Sequence, residues 1–458
     1  MYGRIFREFT GLSHVHLVGI GGAGMSGIAE VLIQHQVKVS GSDLARSEAT
    51  EHLEELGAEI AYGHDAANVA GADLVVRSSA VPRDNVEVEE ARRRGITVVR
   101  RAEMLAELMR LKFGVAVAGT HGKTTTTSLV GAVLTEGGLD PTVIVGGRVR
   151  ALGTGARLGE SDFLVAEADE YDRSFLRLMP VLAVVTTIDA DHLDTYGSLR
   201  AIQEAFVEFA RRVPFFGHVI LYLDDPAIQE ILPRLADRRV VTYGFTPQAD
   251  FQAVGVARRE DAQGSRFAVR HRTEGVLGTV EIPLPGRHNV ANATAAVAVA
   301  HALGVPFEKA ARALSGFGGV DRRFELLGTW RGARVVDDYA HHPTEVAATL
   351  QAARETLPTG KILAVFQPHL YSRTRDQAAA FGRALLGADR VVVTDIYPSR
   401  EEPIEGVTAE LVVEAARAAG HRHVVYCPDF HDAPEILARE VEEGDLILTL
   451  GAGNVYRL

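Results

Sequence analysis

The chain has 458 residues, 47% hydrophobic and 24% charged, which is the balance of a globular protein with apolar material for several cores and excludes a disordered or fibrous chain. At about 150 residues per domain, that length implies roughly three domains. Acidic residues number 60 against 48 Lys plus Arg, a formal charge of -12 with no basic stripe, which argues against a nucleic-acid partner.

Cys427 is the single cysteine, so no internal disulfide is available and a reducing compartment fits. The opening segment MYGRIFREFTGL lacks the continuous apolar core of a signal peptide. No later apolar run approaches the roughly 18 to 20 residues that span a bilayer. The expectation is a cytoplasmic protein without membrane insertion.

Short apolar runs alternate with helix-length amphipathic segments almost throughout, the pattern of strand-helix-strand units and parallel sheet, so the class is α/β. The first unit reads as a strand from His14 to Ile20, a turn from Gly21 to Gly24, a helix to about Gln36 and a strand from Val37 to Ser40. Strands are expected again at Leu74 to Arg77 and Ile96 to Val99, with a solvated helix from Val86 to Arg94 between them. Phe113 to Ala118 opens a second unit that continues with Phe163 to Ala166 and Val181 to Ile188. Between about Asp250 and Leu284 the pattern changes to alternation, which predicts antiparallel hairpins on the edge of the parallel sheet. The glycine-rich stretch Ser315 to Val320 reads as a linker. Beyond it, Arg334 to Val336, Lys361 to Phe366, Arg390 to Thr394, His423 to Tyr426 and Asp445 to Leu450 alternate with helices as a third α/β unit. The expected divisions are 1–109, 110–317 and 318–458.

In open α/β sheets ligands sit beyond the carboxyl ends of the strands. The polar residues there, Asp43, Ser78, Lys123, Glu167, His192, Asp338 and His369, are therefore the site candidates, although each singly is also explained by polar loops and helix caps. Gly19-Ile-Gly21-Gly22-Ala23-Gly24 follows a strand and opens a helix, with Asp43 about 20 residues on. Such glycines let backbone N–H groups approach a diphosphate, and the carboxylate accepts from a ribose hydroxyl. The pattern does not separate NAD from another diphosphate ligand.

Ala118-Gly119-Thr120-His121-Gly122-Lys123-Thr124 lies between a strand and a helix, as a phosphate loop does, with Val117 where the full consensus has its first glycine. Its amides and Lys123 suit the phosphates of ATP, and Thr124 suits Mg²⁺. Glu167 at a strand end is the usual partner of that threonine on Mg²⁺. Taken alone, His192 reads as a helix cap or loop residue sooner than as a ligand, and Asp191 could equally serve. In the third unit, Asp338-Tyr339-Ala-His341-His342 and Gln367-Pro-His369-Leu-Tyr-Ser-Arg373-Thr-Arg375 follow apolar strands and offer arginines for carboxylates and imidazoles for hydrogen bonds or protons.

With these residues in view, the chain resembles the Mur ligases of bacterial peptidoglycan synthesis over essentially its whole length. The marks are GIGGAGMSG, AGTHGKTTTT, EADEYDRSF, DADHLDTYG, GRHNVANATAA, GGVDRRFE, DDYAHHPTEV and FQPHLYSRTRD, in the family's order. The first and the last two point to the branch that adds L-alanine to UDP-N-acetylmuramate. The resemblance implies a Rossmann-like UDP-sugar domain, a central P-loop ATPase and a C-terminal Rossmann-like domain that closes over ATP and the amino acid. It implies that Gly119, Thr120, His121, Gly122, Lys123, Thr124 and Thr125 hold ATP and that Thr124, Glu167 and His192 hold Mg²⁺. Asn289, Asn292, Arg323 and Asp338 would contact the adenine nucleotide. Gly21, Gly22, Ala23, Gly24, Met25, Ser42, Asp43, Ser78 and Ser79 would face the UDP-sugar. Tyr339, His341, His369 and Arg373 would lie on the substrate side, His341, His369 and Arg373 joining Lys123 in the chemistry.

Two departures stand out. Leu370 occupies a position where some members carry arginine, and Arg375 is the expected substitute. No lysine lies between Lys123 and Lys309, so the carbamoylated lysine that related ligases use near the metal is absent. A murein tripeptide ligase of recycling shares the phosphate loop and remains an alternative. An NAD-dependent oxidoreductase would explain the first glycine turn and Asp43 but not the phosphate loop. A monomer or weak homodimer is expected.

Overall fold

The computed structural model describes residues 11–78, 80–150, 154–259, 264–357, 359–399 and 401–458. The apolar run after Ser13 forms β1 (His14–Val18), buried along nearly its whole length, as a central parallel strand covered on both faces must be. It lies in a five-stranded sheet with β2 (Lys38–Asp43), β3 (Glu59–Tyr62), β4 (Leu74–Arg77) and β5 (Thr97–Arg100), in the order β3-β2-β1-β4-β5. All pairings are parallel, β1 meeting β2 at His14↔Lys38 and β4 at Val15↔Leu74. Because the chain leaves β1 to one side and returns on the other, the loops after β1 and β4 diverge and open a crevice. The first glycine turn and Ser78 occupy those loops.

The second sheet has ten strands: β6 (Phe113–Ala118), β7 (Thr142–Val149), β8 (Thr154–Arg157), β9 (Phe163–Glu167), β10 (Leu182–Val185), β11 (His218–Tyr222), β12 (Val240–Gly244), β13 (Phe251–Arg258), β14 (Ser265–His271) and β15 (Gly275–Ile282). Their order is β15-β14-β13-β12-β11-β10-β6-β9-β7-β8. β6 is flanked in parallel by β10 and β9, so a second crevice opens after Ala118, where the phosphate loop lies. The expected hairpin is present: Arg259 N–H donates to Gly264 O at one end of β13–β14 and Arg272 N–H to Asp250 O at the other. The expected strand from Val181 to Ile188 ends at Val185. Thr187 instead turns to the phosphate loop, its carbonyl accepting from Thr120 N–H at 2.9 Å.

The helix Lys123–Gly137 carries four threonines, Thr124 to Thr127, directly after its first residue, and threonine is a poor helix former by propensity. Burial overrides that preference: Thr126, Thr127, Leu129 and Val130 are fully buried, and the Thr127 and Ser128 hydroxyls donate back to Lys123 O and Thr124 O at 2.8 Å. Gly138, at φ +89°, ends the helix in the left-handed conformation glycine allows.

The third sheet contains β16 (Glu325–Trp330), β17 (Ala333–Asp338), β18 (Ile362–Phe366), β19 (Arg390–Val393), β20 (Val424–Tyr426) and β21 (Leu446–Leu450), in the order β16-β17-β21-β18-β19-β20. β16 is an antiparallel edge strand that the sequence pattern did not reveal. Its turn places Arg331 and Gly332 at φ +52° and +81°, the geometry of a tight hairpin, but Arg-Gly is a weaker turn signal than Asn-Gly. Three sheets in this arrangement make a mixed α/β, three-domain architecture. The contacts divide the chain into two compact units. One contains residues Met1–Val254, Ala268–Val280 and Ala291–Gly318, and the other Gly255–Phe267, Glu281–Val290 and Gly319–Leu458. Among the described residues no helix is long and apolar enough to cross a membrane.

Candidate active site

In the first unit the glycine turn is held from beneath by β2. Gly19 and Ile20 N–H both donate to Ser42 O, at 2.8 and 3.0 Å, and Gly21 N–H donates to Asp43 Oδ2 at 2.8 Å. These contacts revise two expectations. Ser42 is fully buried and its hydroxyl donates to Glu87 Oε2 at 2.5 Å, so it supports the turn through its carbonyl and offers no side chain to a ligand. Asp43 uses one oxygen on Gly21 N–H and the other on Leu44 N–H, which makes it first a brace of the turn. Glu87, buried among Ser42, His64 and Asn68, is held at about 2 because the hydrogen bonds and charge of His16 and its other partners outweigh its burial.

Gly22, Gly24, Met25 and Ser78 line a cleft of about 250 Å³ together with Arg101, Leu105, Ile144, Val145, Gly146, Glu167 and Asp169. The cleft brings four of the residues assigned to the UDP-sugar and the carboxylate assigned to the metal into one space. Ser79 lies outside the described residues, and of Ala23 the structure gives only its place at the start of the helix Ala23–Gln34. Arg101 was not anticipated. It pairs with Asp169 at 3.2 Å, and a Cβ at Gly24 would stand 2.6 Å from its Nη1, so Gly24 makes room for this guanidinium.

The phosphate loop turns through Gly119 at φ +134° and Gly122 at φ +80°. A Cβ at Gly119 would lie 2.0 Å from Thr186 Oγ1, and one at Gly122 2.8 Å from Asn292 Oδ1. Gly119 thus stands where any side chain would collide with the chain just beyond β10. Asn292 stands against the loop, as its assignment to the nucleotide requires. Thr120 Oγ1 accepts from Asp189 N–H at 2.9 Å, His121 Nε2 lies 3.1 Å from Asp189 Oδ2, and Thr124 and Thr125 are buried at the start of the helix.

Lys123 is folded onto its own loop. Its ammonium donates to Gly119 O at 2.7 Å and Thr120 O at 3.1 Å and pairs with Glu170 at 2.8 Å. Desolvation opposes its charge, but Glu170, Asp169 and Glu167 hold it charged above the ordinary lysine range. Burial pushes the Glu170 carboxyl up to about 7 even beside that cation. Glu170 and Asp169, like Arg101, were not singled out in the sequence. They sit within the EADEYD segment, where spacing alone does not say which carboxylate meets the lysine. Glu167 Oε2 accepts from Gly146 N–H at 2.8 Å. His192, at φ +54°, places Nε2 3.6 Å from Asp191 Oδ2 and 4.0 Å from Glu170 Oε1, with its ring edge-on to Tyr171.

In the second unit, Asp338 at the end of β17 accepts from Phe324 and Ala340 N–H, both at 2.8 Å, while burial raises its carboxyl to about 6 against the pull of Arg323. Tyr339, His341 and His369 form an aromatic row with centroids 5.2 and 5.5 Å apart, and His369 stacks on Tyr397. Arg323 lies 5.2 Å over Tyr339, and Arg373 Nη1 is 3.3 Å from His369 Nδ1. Asn289 donates to Pro285 O at 2.8 Å. Arg375, the residue expected to compensate for Leu370, is paired at the surface. Its guanidinium is half exposed and binds Asp376, its chain neighbour, at 2.7 and 3.1 Å.

Family models match three consecutive segments: the Mur ligase family catalytic domain over residues 14–113, the middle domain over 117–300 and the glutamate ligase domain over 322–453. A UDP-N-acetylmuramate--L-alanine ligase of Geobacter sp. (strain M21) is 53% identical over 459 residues, covering 100% of this chain and 97% of the relative. The chain belongs to the Mur ligase family. A Salinibacter ruber protein of the same name is 54% identical, covering 97% of this Mur ligase and 93% of its own length. Among solved structures, the UDP-N-acetylmuramate-alanine ligase of Thermotoga maritima superposes with a TM-score of 0.82 at 30% identity, covering 97% and 96% of the two chains. A murein peptide ligase from Psychrobacter arcticus gives 0.72 at 26% identity, covering 96% of each.

Proposed function

We propose that this chain is an ATP-dependent ligase that joins L-alanine to the lactyl carboxylate of UDP-N-acetylmuramate. One observation carries the reading: the cleft that contains Gly22, Gly24 and Ser78 also contains Glu167, so a UDP-sugar on the glycine turn extends toward the phosphate loop. The names borne by relatives more than half identical over nearly the whole chain support L-alanine as the amine. The same reading assigns the UDP-sugar to residues 1–109, ATP to 110–317 and the amino acid to 318–458, in a cytoplasmic monomer or weak homodimer.

A carboxylate is a poor acyl donor because its leaving group would be oxide. Transfer of the γ-phosphoryl group of ATP makes a new P–O bond to the carboxylate as the bond to ADP breaks, giving an acyl phosphate. The amine of alanine, once its ammonium has lost a proton to solvent, attacks the acyl carbon; phosphate leaves with its oxygen as the amide forms, and the nitrogen gives up a second proton to solvent. Both partners of the first step are anionic, so charge neutralisation dominates. Lys123 leaves its loop carbonyls for the phosphates, the N-terminus of the helix Lys123–Gly137 adds its amides, and Arg101 offers a cation on the cleft wall. The oxygen donors around the loop suit Mg²⁺: Thr124 and Glu167, with His192 beside Asp191, would hold it, and when bound it neutralises charge on the transferring phosphoryl group. In the second unit Arg373 and the row Tyr339, His341 and His369 suit an amino-acid carboxylate and ammonium, with Arg323, Asp338 and Asn289 as further polar groups; in the first unit Asn292, beside the phosphate loop, suits the nucleotide.

The test is phosphate release from ATP with Mg²⁺ and UDP-N-acetylmuramate, comparing L-alanine, a diaminopimelate-containing tripeptide and no amine. Release that requires L-alanine is expected. Release with tripeptide alone would make the chain a recycling ligase.

A further inference from the structure

The hairpin between β14 and β15 carries a cluster that the ligase chemistry does not use. His271 ends β14, Glu274 lies in the turn, and His301 lies in the last turn of the helix Arg287–Ala302. All three belong to the first compact unit. One carboxylate oxygen, Glu274 Oε1, stands 3.0 Å from His271 Nδ1 and 2.8 Å from His301 Nε2. The three donor atoms lie within 4.8 Å of one another. Both imidazoles rest on the buried ring of Phe251, with centroids 4.7 and 5.2 Å away, and face each other at 4.9 Å. The Thr273 hydroxyl approaches His271 Nδ1 at 3.3 Å.

We propose that His271, Glu274 and His301 form a binding site for a divalent transition-metal ion of the zinc class, separate from the phosphate loop. Two imidazoles and a carboxylate are the donor set such ions favour over Mg²⁺. Zinc lies about 2.0–2.2 Å from each nitrogen or oxygen ligand, which sets neighbouring ligand atoms about 3 Å or slightly more apart. The two nitrogen–oxygen separations already meet this spacing, and small rotations of the exposed Glu274 and His301 side chains, with His301 kept against the Phe251 ring, close the rest. An ion on the oxygen that the two rings now share replaces two N–H contacts by coordination to neutral imidazoles. His301 lies in the last turn of its helix, where the macrodipole favours a cation. The buried ring of Phe251 restricts both imidazoles, so less freedom is lost on binding. Three protein ligands leave a fourth position for water, and the ion fastens the hairpin turn to the helix end.

Titration of the chelator-stripped, full-length protein with Zn²⁺ alone, followed by calorimetry and metal analysis, tests the site. The phosphate loop's own donors can take zinc, so the reading is the difference between wild type and two variants at exposed positions, Glu274→Gln and His301→Ala. Each variant is expected to bind one zinc equivalent fewer, or to bind it at least about tenfold more weakly. Zn²⁺ is expected to raise the melting temperature of wild type more than that of either variant, and ligase activity with Mg²⁺ is expected to be unchanged by both substitutions. Equal stoichiometry and affinity in wild type and variants would overturn the site, as would X-ray absorption showing no imidazole at the extra zinc.

Discussion

Lys123 and Glu170 show how the unliganded loop stores its cation. The ammonium is held by two carbonyls of its own loop and one buried carboxylate, a set that arriving phosphates replace. Lys123→Ala is therefore expected to lower the phosphate-release rate by about 10²- to 10³-fold or more while UDP-sugar binding survives. Turnover at the wild-type rate in that variant would remove Lys123 from the chemistry. Glu170 gives a second prediction, in stability. Its carboxyl is raised from an ordinary value of 4.5 to about 7, so the folded state holds the proton more tightly than the unfolded chain does. The stability that proton confers is fully present below about 4.5 and is lost as pH rises through 7. Glu170→Gln should flatten the fall in unfolding free energy between those pH values, measured by urea denaturation at several pH values. An unchanged slope would contradict the shift. Lys123 was legible in the sequence because the Gly-Lys-Thr string between a strand and a helix has a mechanism attached. Glu170 was not, because three carboxylates fall within four residues and only packing decides which one meets the ammonium.

At the scale of elements, the loops after β1 and β6 were legible because glycine marks where the backbone must turn or approach closely. Gly119 is the sharpest case, with both a left-handed φ and a neighbouring backbone in the way of any side chain. Gly119→Ala would place its Cβ 2.9 Å from the amides of Thr186 and Thr187 as well as against the Thr186 hydroxyl. The backbone strain alone costs on the order of 1–3 kcal/mol. A lower denaturation midpoint and weakened ATP binding are expected together, and a midpoint equal to that of wild type would show that the loop yields freely. Central strands of the third unit were found to within a residue or two, since β18 and β21 are continuous apolar runs buried throughout. The edge strand β16 was not. The pattern ELLGTW of β16 leaves Leu326 and Leu327 about half exposed, and with one face solvated it carries neither a continuous apolar run nor clean alternation. The Ser42 reading failed for a related reason. A polar residue at the carboxyl end of a strand looks like a ligand contact in sequence, but here the carbonyl faces the turn and the hydroxyl faces Glu87.

For the whole molecule, what matters is that the cleft from Gly22 to Glu167 lies wholly within the first compact unit. The family resemblance divides the same stretch into a UDP-sugar domain and an ATPase, yet one hydrophobic cluster includes Val15 and Leu17 of the first sheet together with Ala116 and Val185 of the second. Sequence periodicity shows where each sheet begins, but not that two sheets share contacts dense enough to act as one body. A ligand seated in that cleft should therefore stabilise the first unit as a whole. At a UDP-N-acetylmuramate concentration one hundred times its dissociation constant, the expected gain is about 2.7 kcal/mol. A chain with two compact units need not melt in a single step, so calorimetry is the suitable probe, because it resolves separate transitions. The substrate should raise the transition that carries the first unit, whose identity the Gly119→Ala variant marks by lowering it, and leave any separate transition of the second unit in place. A substrate-induced shift confined to a transition that Gly119→Ala does not move would place the UDP-sugar outside the cleft and break the link between the glycine turn and Glu167 on which the proposed reaction rests.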